Sequence, residues 1–388
     1  MRARVTGDPG DTPRKTARGS ALWPLPGDAA RRERRSAAPT PPGRARMLCR
    51  LRHVALVLLV LVLLAGVISG VALWRLGQTV TSYSGAHFNR GNNAVWLEHA
   101  WAGEPRSAAD YDALAARLSS EQIGYVFAHV GPLDSDGTIP ADRAPNAAAL
   151  AAALHQRLPG LKVLAWIGQV EIAGGFPANA SVNLNDSAVR TAIARTAAHF
   201  VTDLGYNGVH YDIEPITNNN PRFLDLLDVT RTLLPPGAII SLSGEKWAPD
   251  ATVAGMLRDA GRADAWWTSY YYADVAKHCD QIVAMLYNTA MPTSWAYQLA
   301  VKQETQHILD AVRSAAHPPQ VLIGLPTYPG NDFWFHDSAE NMRSGLAGVV
   351  AGLNSDRDTQ PFTGVAIYRF ALTTDDDWAT YQKTWLGK

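Results

Sequence analysis

Cysteine is almost missing from this chain: 388 residues hold two, Cys49 and Cys279. Cys49 precedes a long apolar run and Cys279 lies far beyond it, so the expected topology keeps them apart. A disulfide framework is excluded, and an exported body must be stabilised by its apolar core. Phosphate-cradling loops are missing too. No G-x-G-x-x-G or Walker pattern appears, which removes the usual signature of a dinucleotide- or nucleotide-binding sheet. Neither H-x-H nor H-E-x-x-H spacing occurs, although His99, His129 and His210 fall near predicted strand ends. No metal and no cofactor is expected. Positive charge is scarce in the body: Arg75 and the residues before it carry fourteen Lys/Arg against four Asp/Glu, whereas the rest carries 21 against 31. An acidic body is unsuited to nucleic acid, whose phosphates need a basic surface.

Residues 53–74 contain no Asp, Glu, Lys or Arg. About 20 apolar residues in a helix cross a hydrocarbon core of about 30 Å. Arg44, Arg46, Arg50 and Arg52 crowd the N-terminal flank, so the positive-inside bias puts the N-terminus in the cytoplasm and the remainder outside. The reading is a single-pass signal anchor in the cell membrane, embedded in the lipid bilayer. A cleaved signal peptide ending near Gly70-Val71-Ala72 is the competitor, but the run exceeds the usual signal core of about 7–15 residues. Residues 1–52 are expected to be a disordered basic tail, in which Met47 is a candidate start, and residues 75–91 a linker.

From residue 92 to 388 strand-like apolar runs alternate with Ala-rich amphipathic stretches. The strands are expected at Ala94–Ala100, Gly124–Val130, Lys162–Gly168, Gly208–Glu214, Ala238–Ser243, Gln281–Asn288, Val321–Tyr328 and Gly364–Phe370. The clearest helices are Ser107–Leu118, Asn146–Leu158, Ser187–Asp203 and Trp295–Ala315, with Asp186 or Ser187, and Ser294, as caps. Eight strands alternating with helices over some 295 residues give the size and rhythm of an α/β (β/α)8 TIM barrel.

In such a barrel the chemistry sits at the C-terminal ends of the strands. The fourth strand, launched by Asn207-Gly208, places His210, Asp212 and Glu214 on one face and Val209, Tyr211 and Ile213 on the other. The polar face should look into the barrel and the apolar face towards the helices. Aromatic residues also lie between strand ends, among them Trp266-Trp267, Trp295 and Trp334. Trp247, directly after strand five, is the preferred stacking platform. Glu245 and Asp332 read as loop salt bridges or solvated charges. Strand seven ends Gly324-Leu-Pro-Thr-Tyr-Pro without a carboxylate, which argues against a glycosidase with paired carboxylates on strands four and seven.

Asn207-Gly208-Val209-His210-Tyr211-Asp212-Ile213-Glu214 resembles the strand-four signature D-G-x-D-x-D-x-E of glycoside hydrolase family 18, the chitinase-type barrels. Met285-Leu-Tyr-Asn288 resembles that family's M-x-Y-D, Val163–Gly168 its third strand, and Gly364–Tyr368 its last. The resemblance spans the body and implies a divergent member that hydrolyses β-linked N-acetylated amino-sugar glycans, such as chitin-type chains or peptidoglycan. It implies substrate-assisted catalysis, with Glu214 as acid and then base, Asp212 holding the acetamido group, and Tyr287 donating to its oxygen. His210, Asn288 and Tyr368 then fall at substrate-side positions, where the family has Asp, Asp and Trp. Departures at His210, Asn288, Tyr368 and Gln169 leave open a weak or inactive glycan-binding, lectin-like barrel.

Overall fold

The computed structural model describes residues 52–67, 69–70, 83–172, 181–259 and 266–388. The chain divides into two units, 1–66 and 67–388. In the first, the described residues are helical from 52 onward. Of the expected span 53–74, the described residues are 53–67 and 69–70, and all of them are helical; residues 52–67 alone measure about 24 Å at 1.5 Å per residue. Among the described residues no helix is long and apolar enough to cross a membrane. Residues 71–74, the tail 1–51 and linker residues 75–82 lie outside the described ones.

The second unit contains a closed barrel of eight parallel strands: β1 (Asn93–Leu97), β2 (Ile123–Pro132), β3 (Lys162–Val170), β4 (Gly208–Glu214), β5 (Ile239–Gly244), β8 (Gln281–Met285), β9 (Gln320–Pro326) and β10 (Phe362–Tyr368). These are the eight strands expected from the sequence. The first ends sooner than expected, because residues 98–100 turn into a one-turn helix, α1 (Ala100–Gly103). Two extra short strands, β6 (Lys246–Ala248) and β7 (Trp266–Thr268), pair only with each other above β5.

The helices that cover the barrel include α2 (Ala108–Ser120), α3 (Ala147–Arg157), α4 (Ser187–Thr202), α5 (Pro221–Leu233), α8 (Ser294–Val312) and α9 (Met342–Ser355). Between them lie α6 (Ala251–Asp259) and α7 (Ser269–Val275), and the chain closes with α10 (Asp375–Tyr381). Asp186 caps α4 by accepting from the Ala188 amide at 2.8 Å. Ser294, the other expected cap, is instead the first residue of α8, and its hydroxyl donates to the Ser338 carbonyl. Linker residues from Tyr83 onward pack against the outer layer: Tyr83 donates to the Arg343 carbonyl of α9, and the Gly85 amide to the Thr384 carbonyl.

β4 has the two-sided character read from its sequence. Val209, Tyr211 and Ile213 are buried in the cluster between barrel and helices, and His210 is buried within the barrel. The Asn207-Gly208 pair sets the strand's start. Asn207 Oδ1 accepts the Val163 amide of β3 and its carbonyl accepts the Ile239 amide of β5. A Cβ on Gly208 would fall 2.1 Å from the Ile239 carbonyl oxygen, so only glycine fits between the neighbouring strands.

Candidate active site

Along the inward face of β4 the surroundings change with depth. His210 is fully buried, its ring stacked on Phe127 at 3.9 Å between centroids. Trp96 Nε1, which can only donate, points at His210 Nε2 at 3.1 Å. The imidazole proton therefore sits on Nδ1, 2.8 Å from Ser241 Oγ, and Ser241 passes the bond on to Gln281 Oε1. Ser243 Oγ lies a further 3.2 Å from Nε2. Burial pushes the His210 pKa down to about 3, so the ring is neutral at physiological pH. Both nitrogens are engaged by Trp96, Ser241 and Ser243, and Asp212 takes its hydrogen bond elsewhere.

That donor is Trp166 on β3, whose Nε1 donates to Asp212 Oδ2 at 2.8 Å. The parallel register pairs Gly168 with Asp212 and Trp166 with His210, which brings the indole up beside the carboxylate. Asp212 Oδ1 is buried and has no hydrogen-bond partner. Its natural donor is a protonated Glu214, whose side chain lies within hydrogen-bonding reach. Burial is the main reason that the Glu214 pKa is raised well above the carboxylate range. The charges of Asp212 and Glu245 add to it, and Lys246 opposes it. Glu214 is therefore biased towards its protonated form, as a general acid requires.

Aromatic rings form the wall over this pair. Tyr287, just beyond β8, stacks on Tyr368 at the end of β10, with centroids 5.1 Å apart and planes 6° from parallel. Tyr368 also meets Trp96 edge-on at 5.5 Å. Burial raises both phenol pKa values, that of Tyr368 to about 12, and the nearby Asp212 and Glu214 push the same way. Both are therefore hydroxyl donors. Asn288 has a left-handed backbone, φ 55°, and its Oδ1 accepts from the Tyr328 hydroxyl at 2.8 Å. Trp247 is placed differently from the other expected residues. One face of its ring stacks on His307 of α8 at 3.8 Å, and Nε1 donates to Ser269.

Two sequence expectations about carboxylates separate here. Asp332 caps a loop turn, accepting from the Trp334 and Phe335 amides. Glu245, expected as a solvated or surface-paired charge, is only 3% exposed and accepts from the Ile216 amide at 3.0 Å. The reason is position, since it continues the inward face of β5 after Ser241 and Ser243. Trp166 was also given no role by its type, because a lone Trp in a strand reads as core. His99 Nδ1 lies 3.2 Å from the His129 carbonyl, and their rings are 5.3 Å apart. Among the described residues no group of three His, Cys, Asp or Glu side chains could hold a metal ion.

No family model and no curated protein sequence matches the chain. Solved structures do. The class V chitinase of Pseudomonas fluorescens Pf-5 aligns with a TM-score of 0.50 at 15% identity, over 76% of this chain and 99% of that one. The C-terminal domain of a protein assigned as a chitinase in Desulfitobacterium hafniense DCB-2 aligns at 0.51 and 13% identity, over 79% and 99%. The likeness is one of fold. It places this chain's barrel beside chitinase-type barrels and leaves the chemistry to be argued from the side chains.

Proposed function

We propose that the barrel is a glycoside hydrolase that cleaves β-linked N-acetylated amino-sugar chains with help from the substrate's own acetamido group. The observation that carries this reading is the buried Asp212 Oδ1, which takes no hydrogen bond, next to a Glu214 whose pKa burial pushes up. A carboxylate fixed on one oxygen by Trp166 and open on the other is built to take an N–H or O–H from a neighbour. In the proposed cycle Glu214 gives its proton to the glycosidic oxygen, and the leaving sugar departs as an alcohol. The acetamido carbonyl oxygen attacks the anomeric carbon as that bond breaks. Asp212 accepts the acetamido N–H and stabilises the positive charge that develops, and Tyr287 donates its hydroxyl to the acetamido oxygen. Glu214, now ionised, takes a proton from water, which opens the cyclic intermediate and restores the starting state.

The apolar run 53–74 is proposed to hold the chain on a membrane, with the barrel outside the cytoplasm. In support, the apolar side chains of the described helix, including Leu56, Leu61 and Val67, are exposed. Release from washed membranes by high salt alone, without detergent, would rule the anchor out.

The decisive assay compares the full chain with Glu214→Gln on N-acetylglucosamine oligomers. A loss of roughly a thousandfold in kcat is expected. Unchanged hydrolysis would sink the mechanism, and saturable oligomer binding without hydrolysis in the parent chain would identify a sugar-binding barrel instead.

A further inference from the structure

We propose that Glu245 is a positioning residue for Glu214: it makes Glu214 the middle of three carboxylates and holds the proton there, with Lys246 as the counter-charge. The inference rests on Glu214 being the acid of the proposed reaction. Its geometry comes from the barrel. Strands β4 and β5 run parallel with Gly208 opposite Ile239 and Tyr211 opposite Leu242. Counted on from that register, Glu245, the residue after β5, falls level with Glu214, the last residue of β4. Matched positions on neighbouring parallel strands face the same way, as the His210–Ser241 hydrogen bond shows one layer below. Glu245 is then fixed twice. Its Oε1 accepts from the Ile216 amide, two residues beyond Glu214, and its backbone carbonyl accepts from the Tyr272 hydroxyl.

The charged and titratable groups facing Glu214 come from four elements. Asp212 lies on its own strand, Glu245 and Lys246 after β5, Tyr287 after β8 and Tyr368 on β10. Lys246 is buried as well, 5% exposed, and its charge also reaches Glu304 of α8 and Glu340. Glu304 accepts from the Trp247 amide and Glu340 from Thr289. Both have pKa values pushed up to about 7, chiefly by burial. One buried lysine thus lies among several carboxylates, Glu214, Glu304 and Glu340. A second negative group beside Glu214 disfavours its ionisation, and a positive group favours it.

The signs give the test. Removing the charge at position 245 with Glu245→Gln lowers the Glu214 titration midpoint, by roughly one pH unit for a buried neighbour. Lys246→Met raises it. The midpoint is read in the full chain by carbon-13 NMR of labelled glutamate carboxyls, assigned by the signal missing from Glu214→Gln. The basic limb of kcat/KM against pH should move in the same two directions. Glu245→Asp, which keeps the charge, should restore most of the parent midpoint. Shifts of the same sign in both variants, or no shift in either, overturn the proposal. Should Glu245→Gln fail to fold, Lys246→Met and Glu245→Asp decide it, since a purely structural role would leave the midpoint in place. If the parent chain hydrolyses nothing yet the carboxyl midpoints move as stated, the proposed function fails and this electrostatic role stands.

Discussion

His210 and the Asp212–Glu214 pair share one face of β4, yet they meet opposite surroundings. The lower position is closed. Both nitrogens of His210 have partners, the ring is stacked, and its hydrogen bonds pass through Ser241 to Gln281. The upper positions are open, with a buried Asp212 oxygen that only the Glu214 proton is placed to meet and a Glu214 that resists ionisation. A satisfied, neutral polar group is what a barrel interior tolerates, and an unsatisfied carboxylate is what it does not. Strain of the second kind concentrates where a ligand is meant to supply the missing partner. The comparison also redefines His210: it belongs to the floor that holds the site up, and the pH response comes from the carboxylates above it.

Breaking the open end should have the largest effect. Asp212→Asn keeps the shape and the acceptor for Trp166 but removes the charge. We expect kcat on N-acetylated oligomers to fall by about 10²–10³ with little change in thermal midpoint, measured side by side on one preparation. It should also ease the ionisation of Glu214, moving the basic limb of the profile to lower pH. A large loss of stability with intact kcat would reverse the roles assigned to the two ends.

Breaking the closed end should act on stability. His210→Ala strands the Trp96 N–H and the Ser243 hydroxyl and opens a hole under Phe127. A cost of about 3 kcal/mol is expected, a drop of roughly 5–10 °C in calorimetry. Any change in the pH profile should be small, because the native ring does not titrate in the working range. A shifted profile in a well-folded His210 variant would show that the floor and the catalytic pair are not separable.

The smallest expected effect lies beside the site. Glu304 is raised from 4.5 to about 7 in the folded chain, mainly by burial. A carboxylate with a raised folded pKa adds stability below its unfolded pKa, and that stability is lost as pH rises through the folded value. Glu304→Gln should therefore flatten the decline between about pH 4.5 and 7, by a few degrees in thermal midpoint. His210 and His129, pushed down to about 3 and 4 by burial, pull the other way as pH falls below 6.5. The difference between variant and parent removes their contribution. No change in slope would mean that Glu304 stays ionised throughout.

Much of the barrel is visible in the chain itself. Alternation in Gly208–Glu214 separates the helix-facing Val209, Tyr211 and Ile213 from the inward face, because side chains on a strand alternate whatever surrounds them. The Asn207-Gly208 pair marks the strand's start in the sequence, although the need for glycine there comes from the Ile239 backbone of the neighbouring strand. The strand count follows from apolar runs that need no partner to be recognised. Local sequence therefore determined the fold class, the position of the acid on strand four and its neighbour two residues earlier.

What a residue meets across the barrel was decided only by tertiary structure. Trp166 and Asp212 are 46 residues apart and become partners through the β3–β4 register. Trp96 and His210, 114 apart, do so by facing each other across the interior. Glu245 reads as an ordinary loop carboxylate until the fold buries it against the Ile216 amide just past β4, and Trp247 reads as an open platform until His307 covers one face. Burial and hydrogen bonding set the charge of each group, and both depend on contacts distant in sequence. The chain alone points to Glu214 as the proposed acid; closure of the barrel determines which groups surround it.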